Sequence, residues 1–148
     1  MLHDQFITVK IRRSNEKASV PVYKTPGAAG CDVEAKEDVV IGAGYSALVS
    51  TGLFLEVPEG YECQVRPRSG LALSHGITVL NSPGTIDSDY RGEVKVLLHN
   101  TSKLPVRIEA GDRIAQLVFA PVVRAVFYEV DELTGTERGL SGFGSTGV

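Results

Sequence analysis

Short runs in which apolar and polar residues alternate, cut at close intervals by glycine and proline, leave this chain few folds to choose from. Ile7-Val9-Ile11, Tyr61-Cys63-Val65 and Val94-Val96-Leu98 each place every second residue on one side. That is the period of a strand with one face in a core and the other in water. Stretches with the 3.6-residue period of a helix are nearly absent. The segments "YSALVSTGLFLEV", "YECQVR", "GITVL", "GEVKVLLHN", "LPVRIEA", "DRIAQLVFAPVV" and "AVFYEV" read as strands, separated by turns such as "VPEGY" and "NSPGT". The fold class that follows is all-β, a sandwich or barrel. One short helix is expected over "SGLALSHG", opened by Ser69 as N-cap and stopped by Gly76.

A chain of 148 residues with 43% hydrophobic content can bury one core without a disulfide or a structural metal. Its net charge is −3 and no stretch concentrates lysine and arginine. Binding along a nucleic-acid backbone is therefore disfavoured, whereas a small anion needs only a few local cations. Cys31 and Cys63 have neither metal-ligand nor redox-motif spacing, and His3, His75 and His99 have no partner at useful spacing. With no secretory apolar region and no spanning segment in view, a soluble, cytoplasmic protein is expected. The low-core stretch runs from about Glu132, so residues 1–131 are expected as a β-barrel domain and 132–148 as a flexible C-terminal arm.

Four glycine-bearing clusters interrupt the strands: "PGAAGCDVEA", "RPRSGLA", "NSPGTIDSDYRGEV" and "GDRIAQL". The tail "ERGLSGFGSTGV" makes a fifth, with Gly139, Gly142, Gly144 and Gly147 among serines and a threonine. Each pairs small residues, which let a ligand approach the backbone, with a group suited to phosphate or metal: Asp32, Arg68 with Ser69, Asp87, Gln116 and Arg138. Singly they also read as turns and caps, with Asp112 and Arg113 as a solvated pair. "NSPGTIDSDYRGEV" is denser than a hairpin tip requires, since Asp87, Asp89, Tyr90, Arg91 and Glu93 crowd into it. A carboxylate there suits a general base toward water, and the Tyr90 ring suits a sugar face. No P-loop or zinc-protease motif is present.

Taken in order, "AGCDVEA", "RPRSGLA", "NSPGTIDSDYRGEV", "GDRIAQL" and "RGLSGFGSTG" resemble the five signature motifs of the trimeric dUTP pyrophosphatases, the dUTPases, over essentially the whole chain. The resemblance implies a jelly-roll-like β-barrel, a homotrimer with shared active sites, and hydrolysis of dUTP to dUMP and pyrophosphate by water attack on the α-phosphorus. Asp87 is then the base. Arg68, Ser69, Gly70 and Gln116 match phosphate-contacting positions, and Asn81, with the strand backbone at Thr85 and Ile86, matches the uracil reader. Tyr90 matches the residue that packs on deoxyribose and leaves no room for a 2′-hydroxyl, and Lys95 is a candidate for the pocket rim.

In the arm, Arg138 is expected on the terminal phosphates and Phe143 on the uracil ring, with Gly144, Ser145 and Thr146 closing around the phosphate chain. The implied cofactor is Mg²⁺, held mainly by substrate phosphates, with Asp32 as an outer-shell ligand through water. Cys31 stands where the family often has an aromatic, and Leu140-Ser141 replaces commoner small or acidic residues. Asp89 and Glu93 are expected to brace the hairpin tip, together with Arg91. The alternatives are a dCTP deaminase, a bifunctional deaminase and dUTPase, and a barrel that binds nucleotide in a regulatory role without turning it over. The intact "TIDSDY" and the terminal "GFGSTG" favour the hydrolase.

Overall fold

The computed structural model describes residues 6–147. Its elements run β1 (Lys10–Arg13), β2 (Cys31–Glu34), β3 (Val39–Ile41), β4 (Ser46–Glu56), β5 (Tyr61–Arg66), α1 (Ser69–His75), β6 (Ile77–Val79), β7 (Gly84–Ile86), β8 (Glu93–Asn100), β9 (Val106–Ile108) and β10 (Arg113–Pro121). One sheet has the order β1-β4-β8-β6 and a second the order β2-β10-β5-β7, while β3 and β9 form a two-stranded ribbon. All pairings are antiparallel. The fold is all-β, as the alternation predicts, and jelly-roll-like, as the resemblance implies.

The period of two becomes a core directly. In β8, Val94, Val96, Leu98 and Asn100 point inward while Lys95 points out. Leu53 of β4, Val33 of β2 and Leu117 of β10 meet them in one cluster. Each such side chain contributes roughly 1.5–3 kcal/mol when fully buried. Asn100 is the polar member, and its hydrogen bonds are complete. Its Nδ2 donates to the carbonyls of Ile41 (2.9 Å) and Leu104 (2.8 Å), and its Oδ1 accepts from the amide and hydroxyl of Ser102. A fully satisfied amide costs little to bury and ties the end of β3 and the loop before β9 to the end of β8.

Cys31 and Cys63 are free and buried. Burial raises both thiols, Cys63 to about 12, which fits a structural rather than a reactive role.

Two local expectations are corrected. Ser69 is not the N-cap: the Arg68 carbonyl already accepts the first helical bond from the Ala72 amide, so Arg68 is the cap, with extended backbone and no side-chain cap bond. Gly76 does stop the helix, in the left-handed region at φ 67°. The segment "AVFYEV" is not a strand within the single chain. Regular structure ends at Pro121, and Val126, Phe127 and Tyr128 are almost fully exposed. Alternation describes a strand only where an edge is present to pair with it. Among the described residues, no helix is long and apolar enough to cross a membrane. His99 shares a hydrogen bond with Ser46 and His75 closes α1, while His3 lies outside the described residues.

Candidate active site

Three of the glycine-bearing clusters converge where β2 pairs with β10. Asp32 faces outward between buried Cys31 and Val33 and lies opposite Gln116. An irregularity in β10 between Arg113 and Ala115 buries both Ile114 and Ala115, so Arg113 and Gln116 come to share the outer face. Without that extra residue the strict alternation would put them on opposite sides. Asp32 therefore meets two guanidiniums, Arg68 Nε on Oδ1 (3.3 Å) and Arg113 Nη1 on Oδ2 (3.4 Å). Arg68 also donates to the Arg113 carbonyl (3.1 Å), and Gln116 Nε2 donates to the Pro67 carbonyl (3.1 Å). Gly30 leaves room for the Gln116 amide at this corner, since a Cβ there would displace the end of that side chain. Two arginines against one carboxylate leave this trio with an excess of positive charge, held in place and suited to phosphate.

A cleft of about 440 Å³ leads away from this corner, lined by Ser69, Gln116, Arg66, Ser82 and Pro83 among others. Asn81 and β7 lie beyond it. Thr85 faces out and Ile86 faces into the core, so Ile86 can offer a ligand only its main chain. In the sheet, β7 pairs with β5 alone, which leaves its other edge open to a planar donor-acceptor partner. A Cβ at Gly84 would sit 3.2 Å from Val65 Cβ and 3.4 Å from Asn81 Nδ2, so glycine there lets β7 lie close against β5 and the Asn81 side chain.

Asp87 follows β7 immediately and is exposed. It lines a different cleft, of about 960 Å³, together with Ser88, Asp89, Arg91, Lys10 and Glu56. Tyr90 is fixed beside it: the hydroxyl donates to the Glu93 carbonyl (3.0 Å) and the ring lies across Gly92, where a Cβ would collide with it. Lys95 lies on the outer face of β8, in the other sheet, opposite Ser50.

The arm residues stand apart from all of these. Arg138 Nε donates to the Ser141 carbonyl three residues away (2.9 Å), and the amides of Ser141, Ser145 and Gly147 close turns within the tail. Phe143 is fully exposed, with positive φ of 52°; Gly144 follows at 83°. A single chain thus brings together Asp32, Arg68, Ser69 and Gln116, carries Asn81, Thr85, Ile86, Asp87 and Tyr90 on and around β7 with Asp87 on a different cleft, and leaves Lys95, Arg138, Phe143, Gly144, Ser145 and Thr146 separate.

Residues 16–147 match the dUTPase family model. The chain belongs to the dUTPase family. It is 58% identical over 139 residues to the deoxyuridine 5′-triphosphate nucleotidohydrolase of Nautilia profundicola, covering 94% of this chain and 98% of that one. The corresponding protein of Anaeromyxobacter sp. is 55% identical over 144 residues, covering 95% and 98%. Among solved structures, the dUTPase of Staphylococcus bacteriophage 80alpha with dUPNHPP superposes at a TM-score of 0.89 with 27% identity, over 95% of this chain and 99% of that one. The dUTPase of S. aureus phage phi11, whose structure describes a structural Mg(II) ion, superposes at 0.78 with 25% identity, over 85% and 98%.

Within this family frame, sequence reasoning passed over several residues. Adjacency in "GDRIAQL" suggests a solvated pair of Arg113 with Asp112. The structure instead sends it to Asp32, while Asp112 Oδ2 accepts from the Glu109 amide (2.8 Å). Arg91 goes to Glu56 and to two backbone carbonyls rather than to Asp89 or Glu93. Nothing in the sequence marks Glu56 or Lys10. Among the described residues no three His, Cys, Asp or Glu side chains form a metal-binding group. A lone carboxylate beside two arginines suits an ion that arrives with a polyphosphate and keeps its waters.

Proposed function

We propose that this chain is a dUTP diphosphatase, splitting dUTP into dUMP and pyrophosphate and so keeping uracil out of DNA while supplying dUMP. The observation that carries the reading is positional: inside a family match over residues 16–147, an exposed carboxylate, Asp87, directly follows the open edge strand β7, with the Asn81 amide close to Gly84. Uracil pairs with the Asn81 amide and with the main chain at Thr85 and Ile86, and a site built on such bonds rejects a mismatched base by about 10⁴–10⁵. Tyr90, held by its hydroxyl and by Gly92, presents its ring to deoxyribose and excludes a 2′-hydroxyl. Lys95 contributes at the pocket rim.

Arg68, Gln116 and the amides at Ser69 and Gly70 take the phosphates. Arg113 is available once an anion competes with Asp32. Asp87 orients a water in line with the α-phosphorus and accepts its proton, an effect of about 10²–10⁴. Positioning and charge stabilisation supply the larger remainder. Mg²⁺ would be held by the triphosphate and, through water, by Asp32; it supplies neutralisation of the charge that builds on the leaving pyrophosphate.

The assembly reading is a homotrimer in which each site draws on more than one chain. Two facts support it. Asp87 and the Ser69–Gln116 pair line different clefts of one chain. The apolar stretch Val126–Tyr128 and the arm after it find no cover in their own barrel. The arm, residues 132–148, then closes over a neighbour's nucleotide, with Phe143 stacked on uracil, Arg138 on the terminal phosphates, and Gly144, Ser145 and Thr146 around the chain. Stacking of about 1–3 kcal/mol offsets the ordering of only a few residues, so the closure is transient.

The test is pyrophosphate release from dUTP, dCTP, dTTP and UTP in parallel, with Mg²⁺, alongside ammonia release from dCTP. Release from dUTP alone is expected. Ammonia would move the chain to the deaminase branch, and no release at all would leave a nucleotide-binding barrel.

A further inference from the structure

The hairpin tip that carries Asp87 and Tyr90 is a single turn, closed by the Tyr90 amide on the Asp87 carbonyl (3.1 Å). Such a turn is anchored on one side by β7 and on the other by the Tyr90 hydroxyl on Glu93. Its middle is held by one side chain. Arg91 Nη1 donates to the carbonyls of Ser88 (2.7 Å) and Tyr90 (3.1 Å), and Nη2 reaches Glu56 Oε1 (3.4 Å). Glu56 ends β4, and its other oxygen is paired with Lys10 Nζ (3.0 Å) of β1, directly opposite in the register. A hydrogen bond and charge from Lys10, with a smaller pull from Arg91, hold the Glu56 carboxyl below the usual range, so it stays a charged anchor. All three side chains line the cleft onto which Asp87 opens.

From this we infer that Arg91 is a positioning residue: anchored by Glu56 and Lys10, it sets the distance and angle between the Asp87 carboxylate and the Tyr90 ring. The planar guanidinium suits the task because one group can bridge two carbonyls and a carboxylate at fixed angles, which a lysine ammonium on a flexible stem does not reproduce. Arg91 and Glu56 are about half exposed, so their ion pair adds little to global stability. Its effect therefore falls on the geometry of the turn. A misplacement of about 1 Å at a reacting group can cost up to about a hundredfold in rate.

The inference rests on Asp87 as base and Tyr90 as the sugar platform, and the experiment separates the two. Wild-type turnover of dUTP and UTP comes first, and a wild type inactive on dUTP defeats the underlying reading. Given an active wild type, Arg91→Ala is expected to lower kcat on dUTP by about tenfold or more and to reduce the dUTP-over-UTP preference several-fold, with an unchanged melting temperature. Arg91→Lys should stay closer to the alanine variant than to wild type, and millimolar guanidinium should restore part of the loss in Arg91→Ala. Arg107→Ala serves as the control, removing a comparably exposed, ion-paired arginine from β9 with no change in kcat or preference. An Arg91→Ala enzyme with wild-type kcat and preference overturns the inference. Should that variant melt early, Glu56→Gln decides: a shift of both parameters in the same direction supports the brace, and wild-type values for both overturn it.

Discussion

The corner around Asp32 and the chain beyond Pro121 are built from the same residue types, arginine among glycines and hydroxyls, yet they stand in opposite states. At the corner, the Arg68 guanidinium is three-quarters buried and committed to a carboxylate and a carbonyl on two other strands. In the arm, the Arg138 guanidinium bonds to a carbonyl three residues away. The difference teaches where binding energy is spent. A preformed phosphate corner has already met its ordering cost at folding, whereas the arm must meet it each time a ligand arrives.

The sharpest cut at the preformed half is Asp87→Asn, which should lower turnover by about 10²–10⁴-fold or more while a non-hydrolysable dUTP analogue still binds in calorimetry. Turnover retained at wild-type rate would move the base elsewhere. On the arm side, ending the chain before Arg138 should cost about 10²–10³-fold in kcat with the melting temperature unchanged, since the described residues of that stretch bury nothing in their own barrel. A truncated enzyme with full activity would erase the distinction between the halves.

A smaller effect is expected from Gly92→Ala, which displaces the Tyr90 ring that lies across it. Discrimination against UTP should fall by about tenfold, more than dUTP binding weakens, as read from parallel kcat/KM values. The last prediction concerns stability alone. Cys63 is raised to about 12 from an ordinary 9.0 by burial, so the unfolded chain releases this proton first. Stability should be full below pH 9 and decline as pH rises toward 12, by up to about 1.4 kcal/mol per pH unit, in urea titrations. Because the arm buries nothing, the truncated chain should show the same slope.

Much of this was legible residue by residue. The alternation in "YECQVR" and "GEVKVLLHN" marked β5 and β8 because one face of each is buried, and Gly76 marked the end of α1 because its φ is positive. Asp32, Arg68 and Gln116 stood out as groups suited to an anion, and the fold does gather them. Arg113 could not be placed, because its face depends on an irregularity within β10 that strict alternation does not contain. "AVFYEV" carried a strand pattern with no strand to show for it, since a period says nothing about whether a partner edge lies within reach.

By itself, then, the sequence determined the period of each segment, the stops between them and the inventory of chemical groups. These are properties of neighbouring residues and follow from backbone geometry. Only the tertiary structure decided that Arg113 faces Asp32 across 81 positions, that Glu56 reaches Arg91 across 35, and that Asp87 and Gln116 open onto different clefts. Register and sheet order are settled by packing between strands distant in the chain, and no local pattern encodes the partner.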